Sequence, residues 1–318
     1  MDQLRALRVF ERVVTEGSFA GAARSMDLAP PVVTRTMAEL ERHLGARLLN
    51  RTTRRIALTD IGTAYLEKAR RILAELDDAD ALAGASSKQL RGTLRVLCPP
   101  AFAVHQLAQH LPRFRAQHPR LGLEIAAPGA VEAAHQNHDV SIVSVGEQPL
   151  EGDFVARRLA RSSFIICASP EYLKRRGHPQ HPDDLLVHDG LLPAVSAVRR
   201  ELTLTCTDPD APAGVSHTLS IPVPTPALST GQIELLLAAA LAGMGIAGLP
   251  SFVAAQALRE GRLVRVLPHW QGTTLTLYAT MPSRKLTPAR TRSFVDFLVS
   301  TFGGGDNDPW VQSAAQVG

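Results

Sequence analysis

In the N-terminal part of the chain, apolar positions recur at helical spacing. Leu4, Leu7, Val9, Phe10, Val13 and Val14 fall mostly on one face of a helix over 2–15, and Gly17 breaks it. Ser18 is placed to cap a second helix whose inner face is Phe19, Ala22, Ala23 and Met26. The small residues Ala20–Ala23 let another helix cross closely. Pro30 and Pro31 open a third helix, because a proline in the first turn gives up only an N–H that had no intrahelical partner. Val33, Met37, Leu40 and Leu44 keep one face apolar, while Pro30, Val32, Thr34, Arg35 and Glu39 fall on the other; Gly45 ends the helix. Leu48, Leu49, Ile56 and Leu58 flank a basic segment, which predicts a hairpin anchored to the core with Arg51–Arg55 outward. Thr59 then caps a long helix reaching about Ser87. Its stripe of Tyr65, Ala69, Ile72, Leu76, Ala79 and Ala83 steps by four and three, a heptad rhythm widened by Leu66 and Leu73. Such a helix is poorly stable with its stripe exposed, so the stripe packs on a second copy of itself or on the chain's own next domain.

From Gly92 the pattern changes to short apolar runs alternating with helices. Strands are predicted over 93–98, 121–125 and 140–145, with helices over 103–117 and 131–137 between them. A second set follows: strands within 154–169, a helix over 170–176, a hairpin from 202–206 and 217–221, a helix over 230–242, a strand over 245–249 and a helix over 250–258. A return strand over 274–280 and a closing helix over 288–302 complete it. Mainly apolar strands between helices predict a parallel sheet covered on both faces. Two such halves joined by two crossings predict two lobes, with a small-ligand cleft between them. The tail 303–318 has no periodic apolar pattern and is expected to be disordered, with Trp310 at most a transient anchor.

Charge adds one local feature to a nearly balanced molecule. The net charge of +4 on 318 residues is small, but Arg42, Arg47, Arg51, Arg54 and Arg55 follow one another with no acid among them. Acids then gather at Glu75, Asp77, Asp78 and Asp80. A compact helical pair followed by an arginine hairpin suits the major groove of DNA and the phosphates beside it. Cys98, Cys167 and Cys206 lie far apart with no CxxC, which argues against a disulfide scaffold and for a reducing compartment. The N-terminus reads as an amphipathic helix and not a signal peptide, and the longest apolar run, near Leu235–Ala242, is too short to cross a bilayer, so a cytoplasmic protein with no membrane partner is expected.

The chain resembles the LysR-type transcriptional regulators over residues 2–302. The segments that carry the resemblance are FERVVTEGSFAGAAR, VTRTMAELERHLGARLLNRTTRRIALTDIG, GTLRV, FVARRLARSSFIICASPEYL, LAGMGIAGLPSFVA and GRLVRVLP. The resemblance implies a mixed fold: a winged helix-turn-helix over 1–59, a linker and dimerisation helix over 60–90, and a two-lobed α/β effector domain over 91–302 like that of periplasmic binding proteins. Its first lobe is expected at 91–161 and 269–302, its second at 162–268. Also implied are double-stranded DNA with an interrupted palindrome, a small organic effector, a homodimer assembling to a homotetramer, and RNA polymerase as a partner if the protein is an activator. Three stretches depart from the family's usual pattern. Ala29-Pro30-Pro31 replaces a polar run before the recognition residues, Cys98-Pro99-Pro100 replaces a Ser-Pro at the end of the first effector-domain strand, and Val143 stands where an arginine is common. The last two make the cleft less polar than usual.

Candidate DNA contacts are therefore Pro30, Pro31, Thr34 and Arg35 on the third helix and Arg51, Arg54 and Arg55 in the hairpin. Arg35 is read as a groove donor or as a solvated helix arginine, and Thr34 as a base or phosphate contact or as a local backbone bond. Candidate dimerisation residues are Tyr65, Ala69, Ile72, Leu76 and Ala79. For the effector, backbone N–H groups at helix starts favour an anion or a carbonyl oxygen. That points to Cys98, Pro100, Ala101 and Phe102, and to Ser229 and Thr230 at a second helix start, with Ser144 and Ser196 as loop donors; Phe102 and Phe252 offer apolar cover. No HExxH, GxSxG, Walker loop or GxGxxG occurs. No catalysis, metal or cofactor is expected, and His135 and His138 at i, i+3 read as surface histidines.

Overall fold

The computed structural model describes residues 2–51, 56–83, 90–129, 131, 138–146, 150–194, 201–208, 218–223, 225–282 and 287–314. These form two compact units, Met1–Gly92 and Thr93–Gly318.

The first unit contains α1 (Gln3–Thr15), α2 (Phe19–Ser25), α3 (Pro30–Leu44), β1 (Leu49–Arg51), β2 (Ile56–Leu58) and α4 (Asp60–Ala83). Local chemistry sets each boundary. The Asp2 carboxylate accepts from Arg5 N, and the Ser18 hydroxyl accepts from Gly21 N at 3.0 Å. Gly45 closes α3 in the left-handed conformation (φ +64°). Asp27 makes the turn between α2 and α3 at φ 53°, a conformation that costs an ordinary L-residue about 1–2 kcal/mol and that Asp and Asn tolerate best. Val9, Phe10, Val13, Val33, Met37, Leu40 and Leu48 are fully buried in one core. A fully buried Phe or Leu side chain contributes about 1.5–3 kcal/mol.

The apolar stripe of α4 is used differently from the heptad expectation. Leu66 joins the main core, and Ala69 and Leu73 pack on Leu7 of α1. Tyr65 is half-buried with its ring 6.0 Å from that of Phe10. Ala69, 1% exposed, is thus corrected from a dimer contact to a contact within the chain, because α1 is covalently at hand and covers that part of the stripe; Tyr65 keeps part of its surface exposed. Ile61 and Ile72 remain exposed at 59% and 47%, Leu76 is half-buried, and Ala79 is described only as helical backbone.

In the second unit, β3 (Gly92–Leu97), β4 (Leu121–Ala126) and β5 (Val140–Val145) form the first-lobe sheet. Between β3 and β4 a helix runs as α5 (Pro100–Phe102), a π-helical turn Ala103–Leu107, and α6 (Ala108–Gln117). β6 (Phe154–Ala168) is one long strand that serves both lobes. Residues 154–163 pair antiparallel with β14 (Thr274–Pro282), while 164–168 pair with β11 (Ile246–Pro250) and β12 (Val264–Arg265). The second lobe adds α7 (Pro170–Arg176), a 3-10 turn Pro182–Val187, β7 (Gly190–Pro193), β10 (Leu228–Thr230), α8 (Ile233–Leu241) and α9 (Ser251–Arg259). A hairpin of β8 (Glu201–Cys206) and β9 (Thr218–Pro222) pairs with β13 (Trp270–Gln271). α10 (Ala289–Phe302) returns to the first lobe, where Phe294 and Phe297 pack on Phe114.

The sheet is mixed rather than all parallel. β3/β5, β7/β10 and β7/β11 are parallel, but β6 and β14 run antiparallel to each other and to β11 and β5 respectively. The two crossings bring the chain back through the middle of the sheet, and that reversal is the physical reason. The predicted helix over 131–137 falls almost wholly outside the described residues. The tail expectation is corrected: α11 (Pro309–Ala314) is a helix, and Trp310 is 7% exposed. Asp308 followed by Pro309 supplies its start, with the Asp308 carboxylate accepting from Trp310 N at 3.1 Å and Val311 N at 3.2 Å.

Candidate functional site

The exposed face of α3 is built by burying the opposite one. With Val33, Met37 and Leu40 in the core, Pro30, Pro31, Val32, Thr34 and Arg35 are all exposed. Arg35 is 83% exposed, and its Nε donates to Glu39 Oε1 at 2.9 Å, one turn further along. That hydrogen bond and the positive charges of Arg35 and Arg42 hold the Glu39 carboxyl below its ordinary range. The bond engages Nε and leaves the two terminal nitrogens of a largely exposed guanidinium, the fork that can meet guanine or phosphate bidentately. The Thr34 hydroxyl donates to Pro30 O at 3.1 Å, the local backbone bond, so toward a partner it offers an acceptor. Pro30 and Pro31 occupy the first turn, with Ala29 as a cap that makes no side-chain bond.

The hairpin is tied to this helix. Glu41 Oε1 accepts from Leu48 N at 2.8 Å and from Leu49 N at 3.2 Å, fixing the first strand to α3. The register Leu49↔Leu58, Asn50↔Ala57, Arg51↔Ile56 leaves 52–55 as the connection. Arg54 and Arg55 lie outside the described residues, and Arg51 is described only through its backbone. The base of the hairpin is closed by Thr59, whose hydroxyl donates to Arg47 O at 2.8 Å and accepts from Gly62 N at 2.8 Å as the cap of α4. Glu41 and Gly62 had escaped the sequence reading. The signal for Gly62 was its place one turn after the cap, where a Cβ would meet Leu48 O at 2.0 Å.

In the second unit the candidate effector residues divide. Pro100 is half-exposed at the start of α5, but Ala101 is 8% exposed and Phe102 fully buried. Phe102 is corrected from cleft cover to core: its ring lies 5.6 Å from Phe252 and 5.2 Å from Phe302, because its place in the first turn aims it between α9 and α10. Cys98 is buried at the end of β3, with its N–H on Ala126 O at 2.9 Å, and burial pushes its thiol well above the ordinary range. Cys167 is pushed up to about 12 for the same reason. Neither has the low-pKa, exposed thiol that a redox sensor needs. Ser144 is half-buried, with its N–H on Val131 O at 3.3 Å. Val143 is buried with Leu97 and Val131, beside Tyr278, so this end of β5 is apolar.

Ser229 is exposed and Thr230 half-buried at the end of β10. The helix expected to begin at Thr230 begins at Ile233 instead, because the Thr230 hydroxyl accepts from Gln232 N at 3.1 Å and holds a turn there. Ser196 lies outside the described residues, as does His135. Among the described residues no group of His, Cys, Asp or Glu is placed to hold a metal ion, and no helix is long and apolar enough to cross a membrane.

Comparison with known proteins bears on both units. The family described as bacterial regulatory helix-turn-helix protein, lysR family, matches residues 4–63, and the LysR substrate binding domain matches 87–303. The uncharacterized HTH-type transcriptional regulator YhjC of Escherichia coli K12 is 33% identical over 309 residues, covering 94% of this chain and 97% of that relative. The HTH-type transcriptional regulator CrgA of Neisseria meningitidis is 32% identical over 299 residues, covering 93% of this chain and 96% of the relative. The solved structure of CrgA, a LysR-type regulator, is similar with a TM-score of 0.58 at 30% identity, covering 94% of this chain and 98% of that one. The full-length AphB structure of Vibrio cholerae, at 22% identity and a TM-score of 0.57 over 94% of this chain and 99% of that one, shares the fold. A helix-turn-helix with its basic hairpin at one end and a two-lobed α/β domain at the other, matched in this order, place the chain among the LysR-type transcriptional regulators, which pair a DNA-binding domain with an effector-binding one.

Proposed function

We propose that this regulator reads an interrupted palindrome with α3 in the major groove, and that the hairpin arginines Arg51, Arg54 and Arg55 contact phosphates or the adjacent minor groove. The observation that carries this is the exposed face Pro30, Pro31, Val32, Thr34 and Arg35, with the Arg35 Nε bonded to Glu39 on the same helix surface. Pro30, Pro31 and Val32 carry no side-chain donor, so recognition at the start of α3 leans on apolar contact with thymine methyls and on DNA shape. The palindrome requires a pair of such helices, and the exposed face of α4 with Ile72 is the surface that supplies the dimer, which pairs again as a homotetramer. The effector is a small organic molecule of low polarity bound between the lobes near Pro100, Ser144, Ser196, Ser229 and Thr230. The buried Val143 cluster supports that polarity. The protein acts in the cytoplasm, and as an activator it would engage RNA polymerase. DNase footprinting on genomic fragments tests the reading: two protected half-sites are expected, with affinity falling steeply as salt rises. Equal affinity for random duplex would identify a nonspecific architectural protein instead.

A further inference from the structure

The family match stops at residue 303, yet the chain continues into a segment that ends in α11 and buries Trp310. Gly303 and Gly304, both at positive φ, turn the chain away from the end of α10. Gly304 N then donates to Leu159 O at 2.9 Å and Arg161 N to Asn307 O at 3.2 Å, so the segment lies along the crossing strand β6. Arg158 pairs with Asp306 beside it. Asp308 sits where β6 passes from one lobe to the other. Its carboxylate accepts from Ser163 N at 2.8 Å and from the Ser251 hydroxyl at 2.8 and 2.9 Å. Ser251 in turn accepts from Ser162 at 2.9 Å, and Ser162 and Ser251 are both almost wholly buried.

Trp310 makes the second anchor. Its indole N–H donates to Gln106 Oε1 at 2.8 Å, while Gln106 Nε2 donates to Phe252 O at 2.7 Å. The ring lies 5.7 Å from Phe252 and 6.0 Å from Phe302. Gln106, 5% exposed, belongs to the π-helical turn directly after α5 in the first lobe, whereas Ser251 and Phe252 open α9 in the second. A change in the angle between the lobes about β6 and β14 must move α9 against that turn. It therefore breaks the Trp310–Gln106–Phe252 chain or the Asp308–Ser251 bonds.

We propose that residues 303–314 form a strap that fixes the angle between the lobes, with Asp308 and Trp310 as positioning residues for the effector site. The proposal rests on the reading of the cleft by α5 as that site. The strap holds α9 against the π-helical turn that follows α5, so it sets how far an effector must work against the resting arrangement.

The test uses the full chain. Trp270 and Trp310 are the two tryptophans, so Trp270→Phe leaves Trp310 as the sole indole reporter. Blue-shifted emission resistant to acrylamide is expected, turning red-shifted and quenchable on adding Asp308→Asn. Hydrogen exchange by mass spectrometry, without DNA or effector, should show about tenfold faster exchange at 100–107 and 251–259 in Trp310→Ala and in Asp308→Asn. Trp310→Phe keeps the apolar fill but loses the N–H, so it should restore protection at 251–259 and leave 103–107 fast. Exposed Trp310 emission in the Trp270→Phe protein, or faster exchange confined to 304–314, would overturn the strap. If Pro100→Trp, which fills the proposed cleft, left effector-dependent DNA binding unchanged, the effector reading would fall while this exchange pattern stood, which separates the two.

Discussion

Gly62→Ala tests how the hairpin is held on its helices. An alanine Cβ at this position would stand 2.0 Å from Leu48 O, 2.9 Å from Leu48 C and 3.1 Å from Thr59 Oγ1. Carbon–oxygen contacts close to about 3.3 Å at best, so the overlap is about 1.3 Å, and the obstacle is backbone with no rotamer to relieve it. Either β1 or the first turn of α4 must move. That movement breaks the Thr59 N–Leu48 O bond of 3.0 Å and disturbs the Thr59 cap. A lost buried hydrogen bond costs about 1 kcal/mol, a lost cap about 1 kcal/mol, and forced overpacking about 1–3 kcal/mol, giving about 3–5 kcal/mol together. At about 4–8 °C per kcal/mol for a unit of this size, the first unit should melt more than 10 °C lower, by calorimetry on the full chain. DNA affinity should fall with it, because the arginine hairpin is displaced from α3. Gly146→Ala is the control: its Cβ would meet nothing within 4 Å, and its backbone is in an ordinary conformation. A Gly62→Ala protein with unchanged melting and unchanged DNA binding would refute the reasoning.

Ile72→Asp and Leu73→Asp should separate two faces of α4. Ile72, 47% exposed, should weaken self-association by sedimentation while leaving the melting of the first unit nearly intact, whereas Leu73, 6% exposed against α1, should lower that melting sharply. A monomeric wild type at micromolar concentration would contradict the dimer. Native thiol labelling at pH 8 should spare Cys98 and Cys167, whose thiols burial pushes up, and reach Cys206 first. Stoichiometric labelling of Cys98 in the folded protein would show that the end of β3 is open.

The helical pair was legible in the sequence because its rules are local. Ser18 and Thr59 cap, Gly17 and Gly45 break, and Val33, Met37 and Leu40 share one face, all within a few residues of one another. What escaped depended on distant partners. The stripe of α4 obeys a heptad rhythm, and spacing alone does not say that Leu7 of α1 takes Ala69 and Leu73. Phe102 stands at a helix start in the sequence, but Phe252 and Phe302, far along the chain, draw it into the core. The tail lacks periodicity because it is too short to show any. Its ordering comes from Asp308 and Trp310 meeting Ser251 and Gln106, pairings that no window of sequence contains. The Asp308-Pro309 pair was the one local signal there, a cap followed by a proline suited to a first helical turn.

Selection from a randomised duplex pool, run in parallel on the wild type and on Arg35→Ala, measures the central claim most directly. The wild type should enrich two inverted half-sites at fixed spacing, and Arg35→Ala should lose a defined base position in each, with a discrimination penalty of about 1–3 kcal/mol for one bidentate contact. No enriched motif from the wild type, or the same motif from both proteins, would contradict the assignment of the exposed α3 face as the DNA-reading surface.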